Sequence, residues 1–539
     1  MRDVDDRLGM TRDLSRRLVD DRHPGTVFSM AELTRTLLYL PAQGFSDLDD
    51  GDLLRHDPAF RLAVSDKKGT RPLDDNGHGL PSQPTLSRAL HRLGSDDNRA
   101  VLASVLRERA IAVRAKKARQ RFCVVDVDSL PVEVHGHQKG SAYNGHYRIQ
   151  MFHPLLATLG DDGDFVGVKL RPGNVHTADG VAEFLAPILD DIAPDVCAIA
   201  GYSHPAMLSL ITLCTERSIP WLIMSDSREV DMPRKKWREW TKARVVKLAS
   251  SGFAAGRIHI DYLAKLGLSP ENCFSGYDVV DNDRFASEAA KCREHDVSAW
   301  RMTDGQLPPY FLSSSRFIPE KNLFRLLDAY ALYRRQADAV GNPGQTPRSL
   351  CILGDGELKS SLVAHAVSLG FEVVPSAPWD DLRARGDAAA PVVYLPGFRQ
   401  INELPRFYAH ADAAILASTK DTWGLVINEA MASSLPVLVS NRCGSAPELV
   451  REGANGYTFD PYRVDELAGL MTRLAALPEP DRKSLGETGK RIIADWGLDR
   501  FAGGLRQAAD KALEVGPKKA GLLDRILLKS LILLGSLRQ

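Results

Sequence analysis

No two cysteines in this chain stand close enough in sequence to make a C-x-x-C pair. The seven, Cys123, Cys197, Cys214, Cys273, Cys292, Cys351 and Cys443, occur singly. That argues against a disulfide framework and against a zinc motif, and fits a reducing cytoplasm. Excess charge is missing too. With 69 basic and 69 acidic side chains the formal net charge is zero, so nothing pulls the whole chain towards nucleic acid or anionic lipid. The N-terminal MRDVDDRLGMTRDL has no apolar run, so no secretory signal is expected. The most apolar stretch, GLLDRILLKSLILLGSL (521–537), is interrupted by Asp524, Arg525 and Lys529 and is too short for a membrane span. Two readings of it stay open: a helix packed on the protein, or one lying in a membrane interface. Gly354-Asp355-Gly356 lacks the later glycine of a dinucleotide fingerprint and reads as a strand-to-helix turn that needs small residues.

What is present is an ordinary soluble composition, 44% hydrophobic and 26% charged, in 539 residues, enough for two to four domains. PYFLSSSRFIPEKNLFRLLDAYALY (309–333) reads as a strand, a polar loop and an amphipathic helix. SLCILGDGEL (349–358) and VVYLPGFRQINELPRFYAHADAAILAS (392–418) repeat the pattern of a short apolar strand, a glycine and a helix. Such βα alternation implies a parallel sheet.

The densest chemistry lies in DTWGLVINEAMASSLPVLVSNRCGSAPELV (421–450). Asp421 and Glu429 are eight residues apart across a Trp-Gly turn that opens an Ala-rich helix. An acid before a turn and an acid early in the next helix can converge on one ligand. The amides of Gly424 and Leu425, at the helix N-terminus, point at an anion. A ligand carrying both hydroxyls and phosphates, such as a nucleotide sugar, suits that set.

This stretch resembles the E-x7-E signature of retaining glycosyltransferases of the family 4 type, which have the two-domain GT-B fold. Asp421 stands where that family usually has Glu. The resemblance implies that Glu429 binds the ribose hydroxyls of a UDP- or GDP-sugar and Asp421 the hydroxyls of the donor sugar. Arg316 and Lys321, in the loop of 309–333, would hold the diphosphate, stabilising charge that grows on the leaving group. Phe398 and Arg399, after Gly397, would meet the nucleotide base. The implied reaction is sugar transfer with retention, requiring no metal or other cofactor.

The N-terminal part reads differently. Residues 1–120 are mostly helical in pattern, with MAELTRTLLYL and TLSRALHRLG, and 107–121 (RERAIAVRAKKARQR) is dense in cations. Nucleic-acid contact and a solvated helix face are both consistent with that charge. FCVVDVDSLPVEVHG (122–136) reads as a strand carrying Asp126 and Asp128. Residues 147–174 read as a hairpin turning at Asp161-Asp162-Gly163, and TADGVAEFLAPILDDIA follows as a helix. This is how a ribonuclease-H-like core begins. With DLLRHDPAF (52–60), SQPTLSR (82–88), VVDVDS (124–129), HGHQKGSAYNGHY (135–147) and LRPGNVHTADG (170–180), residues 5–190 resemble insertion-sequence transposases of the DDE type. Asp126 or Asp128 matches that family's first catalytic acid, a vestigial metal ligand. Two-metal chemistry needs further acids. None is found in register after Ala193, so this half reads as severed and inactive in strand transfer.

From about Pro194 the chain reads as the later part of an acceptor-side domain, lacking its first βα units. Asp226 stands near where many relatives place a His, so activation of an acceptor through a His at that point is not expected. Arg234 to Lys247 is a basic helix carrying Trp237 and Trp240; a surface helix and a membrane-facing one both fit it. The expected architecture is therefore α/β. It comprises helical 1–120, a partial ribonuclease-H-like fragment (121–192), a truncated acceptor-side Rossmann domain (193–300), a GT-B-like Rossmann donor domain (301–475) and C-terminal helices with an apolar tail (476–539). The expected function is bacterial, cytoplasmic glycosyl transfer from a nucleotide sugar to a glycan or lipid-linked acceptor, with peripheral contact at the inner membrane face. The alternative is a transposase-derived protein that binds DNA through its basic helices.

Overall fold

The computed structural model of the chain describes residues 1–45, 47–66, 79–116, 123–136, 138–160, 163–175, 179–301, 309–340, 347–381 and 392–537. The chain divides into two compact units, Met1–Pro194 with Ser536–Gln539, and Asp195–Gly535.

In the first unit the MAELTRTLLYL pattern becomes the helix Met30–Ala42. Its start is fixed by a capping box: the Ser29 hydroxyl accepts from the Glu32 amide at 3.0 Å, and the Glu32 carboxylate accepts from the Ser29 amide at 3.0 Å. Leu33, Leu40, Phe60, Leu80 and Leu86 form the apolar centre of these helices. The strand expected around Asp126 and Asp128 is Val125–Ser129. It pairs antiparallel with Leu155–Leu159, which pairs antiparallel with Asp164–Lys169. The hairpin is thus present, while Asp161 and Asp162 of its turn lie outside the described residues. His137 of the 135–147 motif and residues 176–178 of the 170–180 motif lie outside them too. The helix Val181–Ile192 follows and buries Phe184 and Ile188.

The basic segment falls on the helix Asp96–Lys116, with 117–121 outside the described residues. Two of its cations are already neutralised within the unit. Arg107 pairs with Asp191 at 2.7 Å and Arg109 with Asp13 at 3.0 Å.

The second unit contains two parallel sheets. The smaller runs Cys273–Ser275, Ser251–Ala254, Trp221–Ser225, Cys197–Ala200, in strictly reversed chain order. The larger has seven strands in the order Glu372–Val374, Val392–Gly397, Ser349–Leu353, Tyr310–Ser314, Ala413–Leu416, Val437–Ser440, Gly456–Phe459, all parallel. Its strands read as continuous apolar runs because helices cover both faces, with separate apolar clusters about Tyr394 and Trp423 and about Tyr330 and Phe311. The helix Leu498–Val515 returns from the C-terminal part and packs Ala508 and Ala512 on Phe253 of the smaller sheet. The apolar tail becomes the helix Leu522–Leu537, with Leu528 buried against the cluster around Trp221. Among the described residues no helix is long and apolar enough to cross a membrane.

Candidate active site

In the larger sheet the first strand, Tyr310–Ser314, lies between Ser349–Leu353 on one side and Ala413–Leu416 on the other. Strand order therefore changes direction at the edge shared by Tyr310–Ser314 and Ala413–Leu416. In an open parallel sheet the loops leaving the carboxyl ends of two such strands diverge and leave a crevice. Those two loops carry Arg316 with Lys321, and Asp421.

The loops are tied together closely. The Lys321 ammonium donates to Asp421 Oδ2 at 2.6 Å, with side chains 16% and 11% exposed. Ser418 donates to the same oxygen at 3.3 Å. Asn322, in the left-handed region at φ +58°, donates its amide to Ala417 O (3.0 Å) and Pro461 O (2.8 Å). Arg316 is exposed and has no ion-pair partner among the described residues. Its loop is wrapped by the GDG turn, as the small residues there require. A Cβ at Gly354 would lie 1.8 Å from Ser315 O, and one at Gly356 2.7 Å from Phe317 O.

The helix Leu425–Ala432 begins at Gly424, whose φ of +92° suits glycine, and a Cβ there would lie 2.5 Å from Leu416. Among the described residues the Gly424 and Leu425 amides find no acceptor. Asp421 is held by the Gly444 amide bonding its carbonyl at 3.0 Å. Trp423, 2% exposed, stacks on Trp496 at 5.0 Å and donates its indole N–H to Asn428 at 2.9 Å. That apolar anchor fixes the turn between the two acids. Glu429 accepts from the Tyr408 hydroxyl at 2.6 Å. Burial pushes its carboxyl up to about 6, against the lowering effect of that bond.

Phe398 is exposed at the end of Val392–Gly397. Arg399 turns its guanidinium to Glu403 (3.0 Å) and Pro396 O (3.1 Å). No hydrogen bond joins either residue to Asp421, Lys321 or Glu429 among the described residues. Asp126 and Asp128, in the first unit, are exposed on one face of their strand, and no cluster of three or more metal-ligand side chains occurs among the described residues.

Sequence reasoning missed the residues that the smaller sheet sends to this crevice. Asp278, after the strand Cys273–Ser275, has its carboxyl pushed up to about 7 by burial, then by the charges of Asp226 and Asp421. Its backbone carbonyl accepts from Asn428 at 3.4 Å. His259 is fully buried beside Trp423. Its Nδ1 accepts from the Gly256 amide at 3.1 Å, so Nε2 carries the proton and donates to Thr422 O at 2.9 Å. Burial holds this imidazole below its ordinary range. Neutral and doubly bonded, His259 braces the Asp421 turn. The only sequence signal for Asp278 was an acid just past a strand end.

Comparison with known proteins separates the two ends of the chain. Residues 1–239 match the family model described as Transposase DDE domain group 1, and residues 388–492 match Glycosyl transferases group 1. The chain thus joins a stretch that matches the DDE transposase model to a stretch that matches the group 1 glycosyltransferase model, and with its two parallel sheets the second unit is GT-B-like. The transposase match runs past Pro194, where the first unit ends.

The chain is 31% identical over 147 residues to the sulfoquinovosyl transferase SQD2 of Arabidopsis thaliana, covering 23% of this chain and 28% of that protein. It is 28% identical over 251 residues to the GDP-mannose-dependent alpha-(1-6)-phosphatidylinositol monomannoside mannosyltransferase of Mycolicibacterium smegmatis, covering 45% and 56%. It therefore spans between about a quarter and about a half of these relatives. Among solved structures, Anabaena HepE in complex with UDP aligns at 20% identity and TM-score 0.45, covering 61% of this chain and 80% of that one. The trehalose 6-phosphate synthase of Burkholderia multivorans aligns at 14% and 0.48, covering 62% and 76%.

Proposed function

We propose that the second unit is a retaining, metal-independent glycosyltransferase that moves a sugar from a UDP- or GDP-sugar to a glycan or lipid-linked acceptor. The observation that carries this reading is the Lys321–Asp421 pair at the sheet's crevice beside two unbonded helix amides. Lys321, Arg316 and the Gly424 and Leu425 amides supply positive potential for a diphosphate. Asp421, already oriented by Lys321, accepts from hydroxyls of the donor sugar, and Glu429 accepts from the ribose. Phe398 offers an exposed ring to the base, and Arg399 shapes that loop from behind. In the transfer the bond from the sugar C1 to the diphosphate oxygen breaks and a bond from C1 to the acceptor oxygen forms. The acceptor proton leaves with the diphosphate.

The domain boundaries proposed are those of the sequence pattern, with the enzyme in the cytoplasm and peripheral to the membrane's inner face. The test is calorimetric titration of the full chain with UDP, GDP and ADP, with and without EDTA. Micromolar binding of one diphosphate that EDTA leaves unchanged is expected; no binding of any of the three would sink the reading.

A second reading, DNA binding by the first unit, is favoured by the transposase match over residues 1–239. The pairing of Arg107 and Arg109 with Asp191 and Asp13 removes two of the cations it relies on. It predicts steeply salt-dependent binding to duplex DNA.

A further inference from the structure

Two helices of the second unit, singled out by sequence and unused by the donor site, meet in the fold. They are Lys236–Val246 and Leu522–Leu537. Arg244 on the first donates to Asp524 on the second at 2.6 Å, and Ala243 and Leu528 share one apolar cluster. On the side away from that cluster the first helix exposes Trp237 (55%) and Trp240 (49%). The second exposes Leu522 (78%), Ile526 (54%) and Leu533 (63%). Residues 522, 526 and 533 fall within a narrow arc of a helix of 3.6 residues per turn, roughly opposite the buried Leu528. This helix is therefore apolar on two faces, only one of which the protein covers.

The charge on these helices is one-sided. Glu239 is neutralised by Arg234 (3.1 Å) and Lys242 (3.2 Å), and Asp524 by Arg244. Among the described residues Lys235, Lys236, Arg238, Arg525 and Lys529 are exposed and carry no ion pair. Arg238 stacks on Trp237 at 5.3 Å and Arg244 on Trp240 at 5.7 Å. Indole rings flanked by cations, next to a leucine stripe, suit a boundary that is apolar below and anionic above.

We infer that this face docks on an anionic phospholipid bilayer, with Trp237, Trp240, Leu522 and Ile526 entering the headgroup region and the five unpaired cations meeting lipid phosphates. The inference deepens, and rests on, the peripheral placement proposed above. It names the surface that would hold the crevice near a lipid-linked acceptor.

Co-sedimentation of the full chain with phosphatidylcholine vesicles, and with vesicles in which about a third of the lipid is phosphatidylglycerol, tests it. Binding to the mixed vesicles that weakens with salt, and little to phosphatidylcholine alone, is expected. The pair Trp237→Ala and Trp240→Ala, and separately the pair Leu522→Glu and Ile526→Glu, should each weaken it by on the order of tenfold or more. All these side chains are exposed, and circular dichroism would verify that each variant folds. Equal binding to both vesicle types, no binding, or binding unmoved by either pair would overturn the inference. So would self-association abolished by the same substitutions, which would give the face to a second copy. UDP and GDP titration of the same samples separates the two readings, because loss of nucleotide binding with vesicle binding intact would count against the donor site alone.

Discussion

Lys321 and Asp421 form an ion pair at 2.6 Å although a hundred residues separate them in sequence. Each side chain is less than one fifth exposed, so each charge depends on the other. The sheet makes the encounter: Tyr310–Ser314 and Ala413–Leu416 are hydrogen-bonded neighbours, and the residues leave from the loops that follow those strands. The pair ties the two loops of the crevice together, and the Lys321 ammonium has donors beyond the one it gives Asp421.

Replacing Lys321 by Met should therefore do two separable things. It leaves Asp421 unpaired, at a cost of about 1–3 kcal/mol in stability. It should also weaken UDP or GDP by about 10–100-fold while moving the bare nucleoside little. Adding Asp421→Asn should restore most of the melting temperature without restoring diphosphate affinity. Equal losses for nucleoside and diphosphate in the single variant would count against a diphosphate role.

Glu429 should give the two pH dependences opposite signs. Its carboxyl is raised from 4.5 to about 6 in the folded protein, so between those values the folded state holds more protons than the unfolded one. Its contribution to stability is then greatest below about 4.5, falls as pH rises to about 6, and is flat above. Glu429→Gln should raise stability above pH 6 by on the order of 1–2 kcal/mol, seen as a higher denaturant midpoint. Nucleotide affinity of the unsubstituted chain should instead improve through the same window as the carboxylate forms, and the variant should lose that dependence. An affinity flat with pH in the unsubstituted chain would remove Glu429 from the ribose.

Much of this site was legible in the sequence because it is local. The turn and helix from Asp421 to Glu429, the strand-loop-helix around Lys321 and the demand for small residues at Gly354 and Gly356 all depend on short-range geometry. What sequence could not supply is what crosses the sheet. Tyr408 reaches Glu429 from the helix Leu404–His410, and His259 reaches Thr422 from the helix Arg257–Lys265, which follows a strand of the smaller sheet. Nothing in either local pattern distinguishes these residues from ordinary core. The mutual pairing of Lys321 and Asp421 was equally hidden, since the resemblance assigned them to different parts of the ligand. The same limit applies to the tail: its apolar run was plain, but only the packed fold shows that Leu528 is covered and Leu522 is not.

Gly444 gives a steric prediction. A Cβ there would lie 1.7 Å from Thr422 O and 3.1 Å from His259 Cε1, where neither backbone nor buried ring has room to yield. Gly444→Ala should displace the Asp421 turn, costing about 3 kcal/mol or more in stability and weakening nucleotide binding with it. Gly453→Ala serves as a control. Gly453, unlike Gly444, has a positive φ (+71°), but its nearest side-chain atom is 3.8 Å away, so only backbone strain of about 1 kcal/mol is expected.

Asp278 carries the clearest conflict between stability and placement. Burial, with Asp226 and Asp421 nearby, raises its carboxyl from 3.8 to about 7, and Oδ2 is buried without a hydrogen-bond partner among the described residues. The sign follows as for Glu429. Asp278 is least costly when protonated, and its penalty grows as pH rises from about 4 to about 7 and then levels off. Asp278→Asn should raise the melting temperature at pH 8 clearly more than at pH 5. The difference should be on the order of 2 kcal/mol, below the full shift because water reaches part of the side chain. If the chain keeps an acid here at a cost in stability, the carboxyl serves the crevice: the same variant should retain UDP or GDP affinity yet lose transfer to an acceptor. A variant stabilised at pH 8 and fully active would show that Asp278 is only a tolerated strain on the fold.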